Sequence, residues 1–152
     1  MKKKNMIPPT SQRVFLRTDP RANAEIRNQT IRNLNIFKNC NAGEISERIR
    51  LLNLEWDTER VLEVNASLLV LISSYLGIKT SRIWFLLTGA VGVFMLQHSI
   101  WGWCPPLPLI RKWGVRTEDE IYAEKTALKA LRGDFSGECQ SAVDALNMAE
   151  KQ

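Results

Sequence analysis

The chain of 152 residues has one histidine, three cysteines and no close cysteine pair. Cys40, Cys104 and Cys139 are odd in number and far apart, so a disulfide framework is not expected and a reducing compartment fits better. Together with His98 they would formally make a three-Cys, one-His zinc set, but none of the close ligand pairs such sites use is present. There is no phosphate-binding glycine loop, no paired-carboxylate site and no hydrolase nucleophile elbow. The expectation is therefore no catalytic residue, no metal, no cofactor and no nucleic-acid partner. The N-terminus lacks an acid before Asp19, and no apolar run follows Lys2, Lys3 and Lys4, so a secretory signal peptide is not expected. Pro8 and Pro9 count against a mitochondrial presequence. Residues 1–40 read as a basic, mostly irregular region with a short helix near 22–34. Attraction of its tail to anionic lipid would be worth about 1 kcal/mol per basic residue held near the surface.

Charge is the other absence. A formal charge of +5, with 24% charged and 45% apolar residues, suits a soluble protein, but the average hides segregation. Between Val64 and Ile110 the only normally charged side chains are Lys79 and Arg82. Residues 83–103 carry none besides the titratable His98. Trp84 marks one end of that run, and Trp101 and Trp103 mark the other. On a helix these rings lie about 25–29 Å apart, close to the ~30 Å thickness of a bilayer core whose interfaces tryptophan prefers. Residues 61–78 form a second apolar run, less decisive alone because Glu63 and Asn65 fall near its start. The connection around Lys79–Arg82 is short enough to make the two helices antiparallel neighbours, with Gly77 read as the cap of the first. Both termini then share one side. Arg48, Arg50, Arg60, Arg111, Lys112 and Arg116 lie near the spans on that side, which the positive-inside bias places in the cytoplasm.

The flanks read as helices. Asn41 with Glu44 forms a capping pattern, and Ile45, Ile49, Leu52 and Trp56 follow on one stripe. Mixed charges on the other face suit packing on a helix better than lying on lipid. A second flank, 115–133, opens with Thr117-Glu118-Asp119-Glu120 and ends near Gly133, with Ile121, Leu128 and Leu131 on its apolar side. The two apolar sides are expected to meet. Residues 134–152 read as a tail with a weak helix near 142–148. The fold class is all-α: a two-helix transmembrane hairpin (61–78 and 83–103, with a Pro-rich exit over 104–114) flanked by amphipathic cytoplasmic helices at 41–60 and 115–133.

Within this frame, Trp84, Trp101, Trp103, Trp113, Arg111 and Lys112 are the expected interface anchors. Pro105, Pro106 and Pro108 are expected to hold the exit extended as a stiff strut. Thr88, Gly89 and Gly92 are small residues spaced to let helices approach, either within the hairpin or across a homodimer. His98 and Cys104 invite a catalytic reading, since an imidazole activates a thiol. On a continuous helix, however, residues six apart face different directions. His98 then reads as a polar group bonded to a neighbouring helix or headgroup, and Cys104 as a small apolar residue. The Asn-x-Ser/Thr matches at Asn28 and Asn65 would lie in cytoplasm or membrane and stay idle.

Glu59-Arg60 before the first span, a short turn, a glycine-containing second span, and Gly102-Trp103-Cys104-Pro105 running to Gly114 together resemble the YgaP-like inner-membrane transmembrane domain family. This is a bacterial two-helix hairpin family of largely unknown function. The resemblance implies a multi-pass protein of the bacterial inner membrane, with self-association. Some members fuse the hairpin to a rhodanese sulfurtransferase, and no such cysteine loop is found here, so sulfur transfer is not carried over. The expected function is a non-catalytic accessory, scaffold or assembly role, with the lipid bilayer as partner and a homodimer or larger membrane complex open. Two other readings stay open: a membrane thiol or sulfur-handling protein using Cys104, and a soluble helical protein with the hairpin as its core.

Overall fold

The computed structural model describes residues 7–136, and among these all regular structure is helical. Cys139, the helix expected near 142–148 and the basic residues Lys2, Lys3 and Lys4 lie outside the described residues. After a 3-10 turn at Thr10–Gln12 come α1 (Arg13–Arg17), α2 (Pro20–Phe37), α3 (Ala42–Leu54), α4 (Thr58–Lys79), α5 (Trp84–Trp101), α6 (Leu107–Lys112) and α7 (Glu118–Arg132). Two compact units result. One holds the residues up to Glu25 with Trp56–Thr117; the other holds Ile26–Glu55 with the residues from Glu118. The N-terminal region is therefore not mostly irregular, because α2 spans 18 residues. Its start uses local signals: Pro20 leads the helix and Asp19 Oδ1 accepts from the Arg21 N–H at 2.7 Å.

In the first unit α4 and α5 run antiparallel. α4 starts under the Asp57 cap, whose Oδ1 accepts from the Arg60 N–H at 2.8 Å. Along the pair, Ser73 and Thr88 hydroxyls meet at 2.7 Å. Gly77 does not cap α4, which continues to Lys79. A Cβ there would stand 2.9 Å from the Phe85 ring, so Gly77 is the point of closest helix approach. At their other end Leu62 joins Val14, Cys104, Leu107 and Ile110 in a buried cluster. The outward faces stay bare: Leu71 is 69% exposed, Ile78 75%, Leu86 73% and Leu96 63%. The 22 and 18 residues of these helices correspond to about 33 and 27 Å. Both are long and apolar enough to cross a membrane. Burying one leucine is worth ~1.5–3 kcal/mol, so two helices bared this way need a hydrocarbon solvent.

The exit from α5 differs from the extended strut. Gly102 adopts φ 74°, ψ 18°, ends the helix and turns the chain back. The prolines then start a helix instead of preventing one. Pro106 stands at the N-cap of α6 and Pro108 in its first turn, where a missing N–H costs nothing. α6 carries Arg111 inward. It is 1% exposed, with its guanidinium donating to Thr18 Oγ1 at 3.2 Å, the Val115 carbonyl at 2.8 Å and Asn23 Oδ1 at 2.9 Å. Arg111 is thus a bridge between chain segments and not a headgroup anchor. Lys112 and Trp113 remain exposed.

In the second unit the capping pattern at Asn41 is complete. Its side chain accepts from the Glu44 N–H at 2.9 Å, and Glu44 accepts from the Asn41 N–H at 3.0 Å. Ile45, Ile49 and Leu52 of α3 pack with Ile121 and Leu128 of α7. Trp56 does not extend that stripe, because α3 stops at Leu54. It lies in the connection to α4, with the Arg60 guanidinium 4.7 Å from its ring centroid. Leu131 is likewise outside the core, at 44% exposure. Glu124 is fully buried and accepts from Arg48 Nη2 at 2.8 Å and Nε at 3.1 Å.

Two predictions follow from this packing. Gly102→Ala would place a Cβ 2.5 Å from the Arg13 backbone as well as straining φ. Gly114 also has positive φ, at 83°, but open space around it. Gly114→Ala should cost only the roughly 1–2 kcal/mol of a left-handed residue. Gly102→Ala should in addition release α1, read as faster amide exchange at Val14–Thr18. Removing Arg48 from a buried carboxylate should cost about 3 kcal/mol. Arg48→Ala should therefore speed exchange across α3 about a hundredfold, and Arg48→Met with Glu124→Leu should recover much of the loss.

Candidate functional site: the Glu59, His98 and Cys104 cluster

Three features of the first unit bring distant residues together. The Asp57 cap puts Glu59 in the first turn of α4. Antiparallel pairing puts the end of α5 beside it, so His98 Nε2 and Glu59 Oε2 meet at 2.9 Å across 39 residues of sequence. The turn at Gly102 returns Cys104 to the same place. Helical spacing does not carry through to Cys104, because the helix ends at Trp101. Cys104 and His98 are each 1% exposed.

Arg13 completes the group. Its Nη2 donates to Glu59 Oε1 at 3.0 Å, so one carboxylate holds a guanidinium on one oxygen and an imidazole on the other. His98 Nδ1 and Arg13 Nε are buried without a hydrogen-bond partner. A ring nitrogen in that state keeps an open position for a proton or a ligand atom. His98 does bond to a neighbouring helix, as its simplest reading expects. Its second nitrogen and the adjacent thiol are what that reading omits. No local pattern could have supplied this; the pointer in the sequence is Gly102, two residues before Cys104.

Beside the cluster is a pocket of about 310 Å³, lined by Leu69, Val91, Phe94, Cys104, Ile110 and Trp113 among others. Its size falls at the small end of the ~300–1,000 Å³ range of small-molecule sites. Cys104 forms part of its wall. The tryptophans at the ends of α5 and beyond it are partly exposed: Trp84 36%, Trp101 44%, Trp103 37% and Trp113 72%. Thr88 packs on Ser73, whereas a Cβ at Gly89 or Gly92 would meet nothing within 4 Å. Gly89 and Gly92 therefore take no part in the close approach within the hairpin.

Cys40 belongs to the other unit. Its thiol donates to the Ile36 carbonyl at 3.4 Å. It is pushed above its ordinary pKa, by desolvation first and then by the Glu44 carboxylate, which leaves less thiolate for metal or electrophile. Among the described residues no group of three His, Cys, Asp or Glu side chains is gathered that could hold a metal ion.

Neither the curated proteins nor the solved structures contain a match to the chain. The family comparison does give one, over the segment that builds the apolar pair, the Gly102 turn and the cluster. Residues 57–119 match the family described as inner membrane protein YgaP-like, transmembrane domain.

Proposed function

We propose that the protein is a multi-pass inner-membrane protein of non-catalytic accessory, scaffold or assembly type, with both termini in the cytoplasm. The observation that carries the reading is the bare apolar outer face of α4 and α5, while most of the charged residues lie in the sequence before α4 and after α5. The short bend at 80–83 leaves no room for a domain on its side of the bilayer. Whatever the protein presents to partners is therefore on α2, α3 and α7. Those helices carry charges of both signs outward, such as the exposed Arg50–Glu47 pair at 2.6 Å, which suits a protein partner more than a lipid surface.

Self-association is the second part of the reading. Gly89 and Gly92 sit on the outward side of α5 with open space around them. Small residues there let a second helix approach closely.

Two measurements test these statements. With native cysteines replaced, a cysteine at Thr80 should react with a membrane-impermeant maleimide in intact spheroplasts, and one at Glu118 only after lysis. The reverse order would overturn the orientation, and release of the protein by alkaline carbonate would remove the spanning helices altogether. Gly89→Ile with Gly92→Ile should lower the crosslinked dimer fraction in detergent at least severalfold while leaving helix content unchanged. An unchanged fraction would move the dimer face elsewhere or abolish it.

A further inference from the structure

The hairpin leaves a cleft beside its Pro-rich exit. α6 packs against α4. The cavity of about 310 Å³ is walled there by Val61 and Leu69 of α4, Val91 and Phe94 of α5, and Leu109 and Trp113 at α6. Val61, Asn65 and Leu69 stand four apart, so they form one stripe of α4, and the exposed Glu63 falls on another side of the helix. From Val61 to Leu69 the stripe is about 12 Å long. The cleft therefore starts at the end of the hairpin where α4 begins and runs inward along the apolar pair. Leu69, Phe94, Leu109 and Trp113 are exposed, so it opens on the outer surface of the helices.

Three observations select its guest. None of the described lining residues is charged, and the one amide, Asn65, already donates to the Val61 carbonyl at 2.7 Å. A phosphate or carboxylate would be buried there unpaired, which is prohibitive, so what enters is hydrocarbon. Size is the second observation. Packed helices stand about 8–10 Å apart, axis to axis. The space between α4 and α5 does not admit a third helix about 10–12 Å wide, but it does admit one chain of methylenes. The third observation is at the rim. Trp113 is exposed, and Lys112 beside it is exposed and forms no ion pair among the described residues. An indole and an ammonium at the rim of a hydrocarbon slot suit the ester and phosphate oxygens of an anionic lipid headgroup.

We propose that the cleft is the seat of one anionic phospholipid, with an acyl chain between α4 and α5 and its phosphate held by Lys112 and Trp113. The lipid comes from the leaflet at the end of the hairpin where α4 begins. It fills space that the helices leave open and fastens the short α6 to the long pair. This inference rests on the reading of α4 and α5 as spanning helices. Release by alkaline carbonate would defeat that reading, whereas a carbonate-resistant protein that keeps no lipid would defeat only the cleft.

The test is native mass spectrometry of the full chain in detergent micelles, incubated with equimolar dioleoyl phosphatidylglycerol and dioleoyl phosphatidylcholine. One lipid per chain should stay bound. One basic side chain at headgroup level is worth about fivefold in favour of an anionic lipid. Phosphatidylglycerol should therefore exceed phosphatidylcholine by about that factor. Lys112→Gln should remove the preference and leave the total bound lipid near its native level. Ala66→Phe, which puts a ring into the cleft wall, should lower both lipids at least fivefold. Leu71→Phe, on the bare face outside the cleft, should change neither. Equal retention of the two lipids by the native chain, a series of adducts with no preferred first lipid, or equal responses to Ala66→Phe and Leu71→Phe would each overturn the proposal. So would a lower dimer fraction in Ala66→Phe with bound lipid unchanged, which would make the cleft a seat for a second copy. Should Ala66→Phe lose helix content, the headgroup comparison and Lys112→Gln decide it alone, and an unchanged lipid ratio in Lys112→Gln overturns it.

Discussion

Glu59 sits where three separate stretches of chain have to be held, and it has one oxygen for each of two partners. His98 approaches from the end of α5 and Arg13 from the N-terminal segment, at 2.9 and 3.0 Å. Without a carboxylate at this position, the ring would be buried with neither nitrogen bonded, and Arg13 would lose its acid. An unsatisfied buried polar group costs about 1–3 kcal/mol, so the pairing of α4 with α5 at this end depends on it. The other end of the pair needs no charge. Gly77 and the Phe85 ring simply approach closely. The hairpin is thus tied by electrostatics where it meets the rest of its unit and by close packing toward the bend.

A hydrocarbon environment makes the polar accounting stricter, because no water is present to complete an unmet bond. Three bonds of these helices follow that rule. Ser73 and Thr88 bond each other at 2.7 Å, Asn65 donates to the Val61 carbonyl at 2.7 Å, and Ser99 donates to the Met95 carbonyl at 3.0 Å. Each solution is either within one helix or across the pair. His98 Nδ1, in contrast, is buried without a bond.

The sequence disclosed the parts of the fold that local chemistry decides. A charge-free run bounded by Trp84 and Trp101, the capping pattern of Asn41 and Glu44, and the spacing of Ile45, Ile49 and Leu52 all correspond to features of the structure. What stayed hidden depended on contacts between distant residues. Arg111 looks like a surface cation until Thr18 and Asn23 are brought to it. Pro106 and Pro108 read as helix breakers because the rule that bars proline from a helix interior says nothing of its first turn. Gly77 matched a cap pattern, yet its lack of a Cβ serves Phe85 on the next helix. Helical spacing likewise does not extend through Gly102, the residue at which the helix stops.

Gly102 therefore links the stability of the unit to its chemistry. Its left-handed turn brings Cys104 into the cluster with Val14, Leu62, Leu107 and Ile110. The same residue leaves room for the Arg13 backbone, where any side chain would intrude to 2.5 Å. Docking of Arg13 then aims its guanidinium at Glu59, which in turn holds His98 Nε2. Each step is a packing requirement on its own, and together they gather a guanidinium, a carboxylate and an imidazole at one end of the helix pair. Apolar residues at 59, 98 and 104 would satisfy the packing at lower desolvation cost. The two bonds made by Glu59 therefore tie chain segments together at a desolvation cost that an apolar cluster would avoid.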